Sequence, residues 1–278
     1  MDKVRLGGMA LENGVLVHGP TSWACAVRAD EGEVKVASGR KPLRAAEVRS
    51  GLLRGPARLA EALALVPAVR RALPEARLPY ERAGVVAALA GSAAAARGVR
   101  ATRIAPALQE AIAALLALAP SALALRGSAL AEYHGAEHIT IGTYEHGEPR
   151  PREHERCGSH LVGPLVATST ASRLLARAAP PHLRLPAHAA AALGAMASSV
   201  ELFGWMQRNE DHPLARALAR PGHELQRRVL TAEPSPEQLE VAREALEECL
   251  RLERAGEGPS VQSRPDGRRD GAEEAALT

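Results

Sequence analysis

A chain of 278 residues with 46% hydrophobic and 24% charged side chains is long enough to bury a full core in one or two domains. A net charge of +3, with one Phe, two Trp and three Tyr, argues against a nucleic-acid module, which needs a basic surface and aromatic stacking platforms. Three well-separated cysteines, Cys25, Cys157 and Cys249, do not make a disulfide framework and suit a reducing compartment, and Met1-Asp-Lys-Val-Arg5 leads into no apolar run of signal-peptide length.

Residues 1–43 read as a small β unit. Residues 14 to 18 and 23 to 28 are apolar and β-prone, Ala29-Asp30-Glu31-Gly32 is a turn, and Glu33-Val34-Lys35-Val36-Ala37 alternates as a strand does. A hairpin across Asp30 to Gly32 is expected. Gly7-Gly8 and Gly19-Pro20 punctuate the first strand, no helix with Lys-Ser or Lys-Thr follows to make a phosphate cradle, and His18 and Trp23 read as packing residues.

From about residue 44 helical periodicity takes over. Leu59, Leu63, Val66 and Arg70 mark one face of a helix that opens near Gly55-Pro56, kinks at Pro67 and ends before Pro74. Four Ala-rich apolar stretches follow, at about 83–96, 104–125, 161–176 and 185–206. Asp211-His212-Pro213 opens a further helix that Pro221-Gly222 breaks. Ser235-Pro236-Glu237-Gln238 is a capping-box start for a last helix, whose apolar face is Leu239, Ala242, Leu246, Cys249 and Leu250. Residues 255–278 are rich in Gly, Pro, Ser and charge, which predicts a disordered tail. The fold class expected is mainly α with a small N-terminal β unit (α+β), residues 44–254 forming an Ala-rich helical bundle. A spanning helix needs about 20 predominantly apolar residues. The charge-free runs here are shorter, with Glu110 inside the second stretch and Glu201 late in the fourth. Hydropathy alone therefore leaves buried soluble helices and short or interfacial spans both open.

Between the second and third apolar stretches, Tyr133 to Cys157 gathers most residues able to hold a metal or move a proton. His134-Gly-Ala-Glu137-His138 has the inverted zinc-protease spacing, in which two histidines one turn apart bind one ion and the glutamate between them acts as base. Glu145 returns to the same face if the helix persists, although Ile139, Thr140, Ile141, Gly142 and Thr143 would also permit a helix end or a strand. The turn-forming run from His146 to Pro151 would bring His154 and Cys157 back from a second segment. Candidate ligands of a divalent metal, zinc by preference, are thus His134, His138, Glu145, His154 and Cys157, with Glu137 as the catalytic base. The bland alternative is a helix whose histidines only satisfy local polar groups. Tyr133 and Tyr144 read as wall residues.

Tyr133-His-Gly-Ala-Glu-His138, Tyr144-Glu145 and His154-Glu-Arg-Cys-Gly-Ser159 resemble the hallmark blocks of the YqhQ-like DUF1385 family, a bacterial domain of unknown function usually described as a predicted metal-dependent, membrane-embedded enzyme. Two further blocks are similar to that family's ends. One runs from Gly7-Gly8-Met9-Ala10 through Gly14-Val15 and Gly19-Pro20 to Ala26-Val27-Arg28, the other from Leu225-Gln226 through Glu233-Pro234 to Gln238–Ala242. The chain departs from the family at Met9, Asn13 and Ile139. The resemblance implies a metal site and a membrane location, with the second and third apolar stretches inserted in or lying against the cell membrane and the β unit and tail on its cytoplasmic side. A cytoplasmic protein is the alternative.

Two functions from different classes follow. The first is a metal-dependent hydrolase, in which the metal-held water attacks a small-molecule or peptide substrate. The second is a non-enzymatic membrane or scaffold protein with a closed structural metal site. A structural zinc keeps four protein ligands and a catalytic one leaves a position open. No residue pattern names the substrate or the oligomeric state.

Overall fold

Strands that are apolar on both sides make the centre of the molecule. The computed structural model describes residues 3–255 and 260–264. β1 (Gly7–Leu11), β2 (Gly14–His18), β3 (Ser22–Arg28) and β4 (Val34–Arg40) form an antiparallel meander, and β5 (Ser260–Arg264) adds to its edge beside β4. The β3–β4 hairpin turns where the sequence predicts, with Gly32 at φ +83°. Successive side chains alternate between faces. Val15, Val17, Ala24, Ala26, Val34 and Val36 enter one core, and Leu16, Trp23, Cys25, Val27 and Ala37 enter a second.

Helices cover both faces. α1 (Gly51–Ala72) brings Leu65, Val69 and Leu73 to the second core, whereas α4 (Ala129–His146) and α8 (Pro236–Ala255) close the first. The change near residue 43 is therefore one of secondary structure, because the sheet shares both cores with helices from the rest of the chain. Ser260–Arg264 lies within the segment whose composition predicts a disordered tail. It is a strand because the open edge of β4 offers unpaired backbone groups that a short extended segment satisfies. The remainder of that tail, 256–259 and 265–278, lies outside the described residues.

Several local expectations change. The face of α1 that packs inward is Glu61, Leu65 and Val69, while Leu59 and Leu63 are exposed. Both faces of this helix carry apolar residues at helical spacing, and the sheet selects one of them. α1 runs through Pro56 and Pro67, and α7 (Pro213–Leu225) runs through Pro221. Asn13, where the chain departs from the family pattern, is a buried tie. It donates to the carbonyls of Arg28 and Glu75 and accepts from the Arg77 N–H, joining β3 to the segment after α1. The capping box of α8 forms as predicted, with Gln238 N–H donating to Ser235 Oγ and Ser235 N–H donating to Gln238 Oε1.

The other helices, α2 (Ala83–Arg100), α3 (Pro106–Leu125), α5 (Val162–Arg177) and α6 (Arg184–Arg208), form a layer in which α1 packs on α6, α6 on α5, α5 on α3 and α3 on α2. Glu110 of α3 is buried there between Arg100 of α2 and Arg177 of α5, at 3.0 and 2.9 Å. Among the described residues, Pro106–Leu125 and Pro181–Arg208 are long and apolar enough to cross a membrane. α5, the third apolar stretch, has only 16 residues.

The Lys41–Glu61 pair ties the end of β4 to α1. Glu61 accepts from Lys41 Nζ at 2.5 Å and from the Ala45 N–H at 2.6 Å, and neither side chain is more than a tenth exposed. Breaking such a pair strands the surviving charge, at about 3–5 kcal/mol. Glu61→Ala is expected to lower the unfolding free energy by about that amount, read from the urea midpoint at constant slope. A change inside measurement error would show that the pair adds nothing.

Candidate metal centre

α4 does not stop at its β-branched stretch. It continues to His146, and Gly147, at φ +80°, ends it with a left-handed cap in which the Gly147 N–H donates to the Thr143 carbonyl. Burial overrides propensity here, because Thr140, Ile141 and Gly142 are all buried. His134, Glu137 and His138 are therefore carried on one continuous helix lying against the sheet.

His134, Glu137 and His138 share one face of that helix and line a single cavity with Cys157. Outside α4, two backbone carbonyls fix the imidazoles. His134 Nδ1 donates to the Leu230 carbonyl at 2.8 Å, and His138 Nδ1 donates to the Arg152 carbonyl at 2.6 Å. A carbonyl only accepts, so each ring carries its proton on Nδ1 and leaves a lone pair on Nε2. His134 Nε2 lies 3.6 Å from Cys157 Sγ, and donor atoms of His134, His138 and Cys157 all fall within 4.8 Å of one another. Zinc–nitrogen bonds of about 2.0–2.1 Å and a zinc–sulfur bond of about 2.3 Å, set at a tetrahedral angle, separate N from S by about 3.5 Å. The donor set and its spacing therefore suit a zinc-type ion.

The turn after α4 thus returns the chain as the sequence predicts, but it brings only Cys157 into the group. His154 and Glu145 hold each other: His154 Nε2 donates to Glu145 Oε2 at 3.1 Å, and His154 Nδ1 accepts from the Arg156 N–H at 3.3 Å. The second Glu145 oxygen is paired with Arg156. His154 is hydrogen-bonded through both nitrogens and Glu145 is engaged with His154 and Arg156, so the compact donor group is His134, His138 and Cys157, without the other two predicted ligands. Tyr133 is a core residue, and Tyr144 anchors the N-terminal arm by accepting from the Val4 N–H.

Two features of the site are not evident in the local sequence. Gln226, fully buried, holds the Cys157 segment: its Oε1 accepts from the His154 N–H, and its Nε2 donates to the His154 carbonyl and to Ser159 Oγ. It opens the π-helical stretch Gln226–Leu230, whose last carbonyl is the one that orients His134. Only the block resemblance around Leu225-Gln226 points there. The other feature is Gly8 of β1, where a Cβ would collide with the Glu137 carboxylate. The glycine lets a strand form the wall against which the Glu137 carboxylate lies. His18, read as packing, also lines the cavity.

Burial controls the charges. It pushes the Glu137 carboxyl up, against a smaller downward pull from His134 and His154, and it drives the His138 imidazole well below its ordinary value, with His134 adding to the effect. It also raises the Cys157 thiol to about 11, so a metal would have to displace that proton. Glu137 can therefore hold or release a proton nearer neutrality than an ordinary carboxylate.

Comparison with known proteins bears on the same stretch. The family described as "Protein of unknown function (DUF1385)" matches residues 128–252, from the residue before α4 into α8. The N-terminal block resembling that family lies outside the match. The chain is also 34% identical over 134 residues to the "Uncharacterized protein YqhQ" of Bacillus subtilis (strain 168), over 45% of this chain and 42% of that protein. It thus spans less than half the length of the curated relative it matches. No solved structure matches.

Acid should destabilise the metal-free fold. Burial lowers His138, His154 and His160, so the unfolded chain takes up protons near pH 6.5 that the folded chain refuses. Their contribution is complete above about pH 6.5 and falls as pH drops, by up to about 1.4 kcal/mol per pH unit for each group. Glu137 has the opposite sign, since its raised value makes the folded chain bind a proton first, and it works against the three histidines. Urea midpoints should decline from pH 7 to pH 5. A flat profile would show that these rings are not buried neutral.

Proposed function

We propose that this protein is a metal-dependent hydrolase seated at the cell membrane, with His134, His138 and Cys157 as ligands of a zinc-type ion and Glu137 as general base. The observation that carries the reading is the 3.6 Å approach of Cys157 Sγ to His134 Nε2, with both imidazoles locked by carbonyls so that their free lone pairs serve one centre. When bound, such an ion supplies Lewis acidity and lowers the pKa of a coordinated water to about 7. Glu137, on the same helix face and desolvated against Gly8, accepts the water proton and passes it on. The competing structural-site reading needs a fourth protein ligand. Glu145 and His154, the two further ligands that the sequence suggests, are already engaged with each other and with Arg156, which favours an open position.

The membrane part rests on surface chemistry. Leu89, Leu115, Leu123, Leu175 and Leu193 of the helical layer are each more than half exposed, and only 28% and 22% of the 18-residue apolar windows of the two membrane-length helices is buried. Exposed apolar area on this scale marks a membrane or partner surface. Cys157 must remain reduced to act as a ligand, which suits the cytoplasmic face. Membranes washed in carbonate should retain the protein until detergent is added. Recovery of the full chain in the soluble fraction at low salt would refute this location.

The centre is tested by metal content and thermal stability. Wild type and Glu137→Gln are expected to hold one zinc per chain with similar melting temperatures, while His134→Ala, His138→Ala and Cys157→Ala lose it. Metal loss in Glu137→Gln equal to that in the ligand variants would make Glu137 a ligand and end its role as base. Because the Cys157 thiol must give up its proton, zinc affinity should rise about tenfold per pH unit from pH 7.5 to 9. Competition against a calibrated chelator reads that slope, and its persistence in Cys157→Ala would remove the thiol from the centre.

A further inference from the structure

The cavity that holds the candidate centre is far larger than a water-activating site requires. It measures about 820 Å³, at the upper end of the roughly 300–1,000 Å³ of small-molecule sites. Its polar groups come mainly from α4 and the segment before α5. A second wall is almost wholly apolar and comes from α2 and α3: Val85 and Leu89 recur one turn apart on α2, and Leu115, Leu118, Ala122 and Leu125 recur every three or four residues on α3. From Leu115 to Leu125 that stripe of α3 rises about 15 Å. Leu89 and Leu115 line the cavity and are also 51% and 53% exposed, so its apolar part reaches the surface on helices that carry the exposed leucine face.

The polar part offers no spare cation. Arg156 lines the cavity but is paired with Glu145, and His154 is hydrogen-bonded through both nitrogens. Apart from the ion itself, a phosphate or carboxylate head would find no unpaired side-chain cation among the described residues that line it. A neutral acyl group needs none, because its carbonyl would meet the centre and its chain would occupy the leucine stripe.

We infer that the substrate is a long-chain acyl ester or amide, entering from the bilayer at the mouth lined by Leu89 and Leu115, its chain held along the α3 stripe and its acyl carbon presented to Glu137 and the His134–His138–Cys157 centre. This rests on the hydrolase reading above. In the reaction the acyl carbon gains the oxygen of water and the C–O or C–N bond to the leaving group breaks. Glu137 transfers the water proton to that leaving group, so a fatty acid and an alcohol or amine are released.

Hydroxamic acids, neutral in solution and chelating zinc through two oxygens on loss of one proton to a base such as Glu137, separate the two readings. Calorimetry on zinc-loaded full-length protein in lipid nanodiscs compares acetohydroxamate with decanohydroxamate. The ten-carbon compound is expected to bind on the order of a hundredfold tighter or more, from burial of its methylenes. Leu118→Trp, which fills the stripe, should reduce that preference to under about tenfold and leave acetohydroxamate binding unchanged, since the stripe, not the centre, is altered. Leu115→Gln, at the half-exposed mouth, should shift it the same way and serves if Leu118→Trp fails to fold. Preference for the long chain that is equal in wild type and both variants would reflect partitioning into the bilayer and overturn the acyl-chain site, with the metal centre left standing. Failure of wild type to bind zinc or either hydroxamate would overturn the hydrolase reading and the substrate with it.

Discussion

Two hydrogen bonds from imidazole to backbone carbonyl organise this molecule. The acceptors, Leu230 and Arg152, lie 96 and 14 residues from their histidines, so neither ring is oriented by its own helix. To place the Leu230 carbonyl, the chain must complete α5, α6 and α7 and widen into a π turn at Gln226. To place the Arg152 carbonyl, the turn after α4 must close back on it. Gln226 joins these requirements, since the same buried amide that begins the π turn also grips the backbone of the Cys157 segment. A histidine pair on a helix becomes a defined donor set only when that whole arrangement is in place.

The same arrangement explains why the site combines two unlike environments. One wall is the sheet and α4, held by closely packed Val, Ala and Tyr side chains, with Gly8 removing the one atom that would displace Glu137. The other wall belongs to α2 and α3, which touch the sheet little and pack chiefly on each other and on α5. A donor set held by the sheet is thus beside a wall that belongs to a different layer. On the hydrolase reading proposed above, preorganisation of the reacting groups would need the first, and a bulky apolar molecule would be admitted through the second.

Much of this was legible in the chain. The spacing of His134, Glu137 and His138 requires only helical geometry to put three groups on one face, and the Gly147 turn dictates that the following segment doubles back. What could not be read was occupancy: nothing local shows that both nitrogens of His154 are spent on Glu145 and a backbone N–H, because those partners meet only in three dimensions. The α1 face was misread for a similar reason, since Leu59 and Leu63 have the spacing of a core stripe and it is the sheet that selects Leu65 and Val69 instead. The prolines at 56, 67 and 221 sit inside helices because neighbouring packing outweighs one lost hydrogen bond, a balance no single-sequence rule contains.

The clasp between the two ends of the chain has its own consequence. Glu253, near the end of α8, accepts from the backbone N–H groups of Thr21 and Ser22 at 2.8 and 2.7 Å, across 232 and 231 residues of sequence. Above it, Val241, Ala242, Ala245 and Cys249 complete the core over the meander. A nascent chain leaving the ribosome therefore makes its first strands early, yet one side of them stays wet and apolar until α8 has been synthesised. Contacts of such long range are slow to form and leave strand surfaces vulnerable meanwhile. The meander is closed only by α8, after the apolar helices that lie between them in sequence.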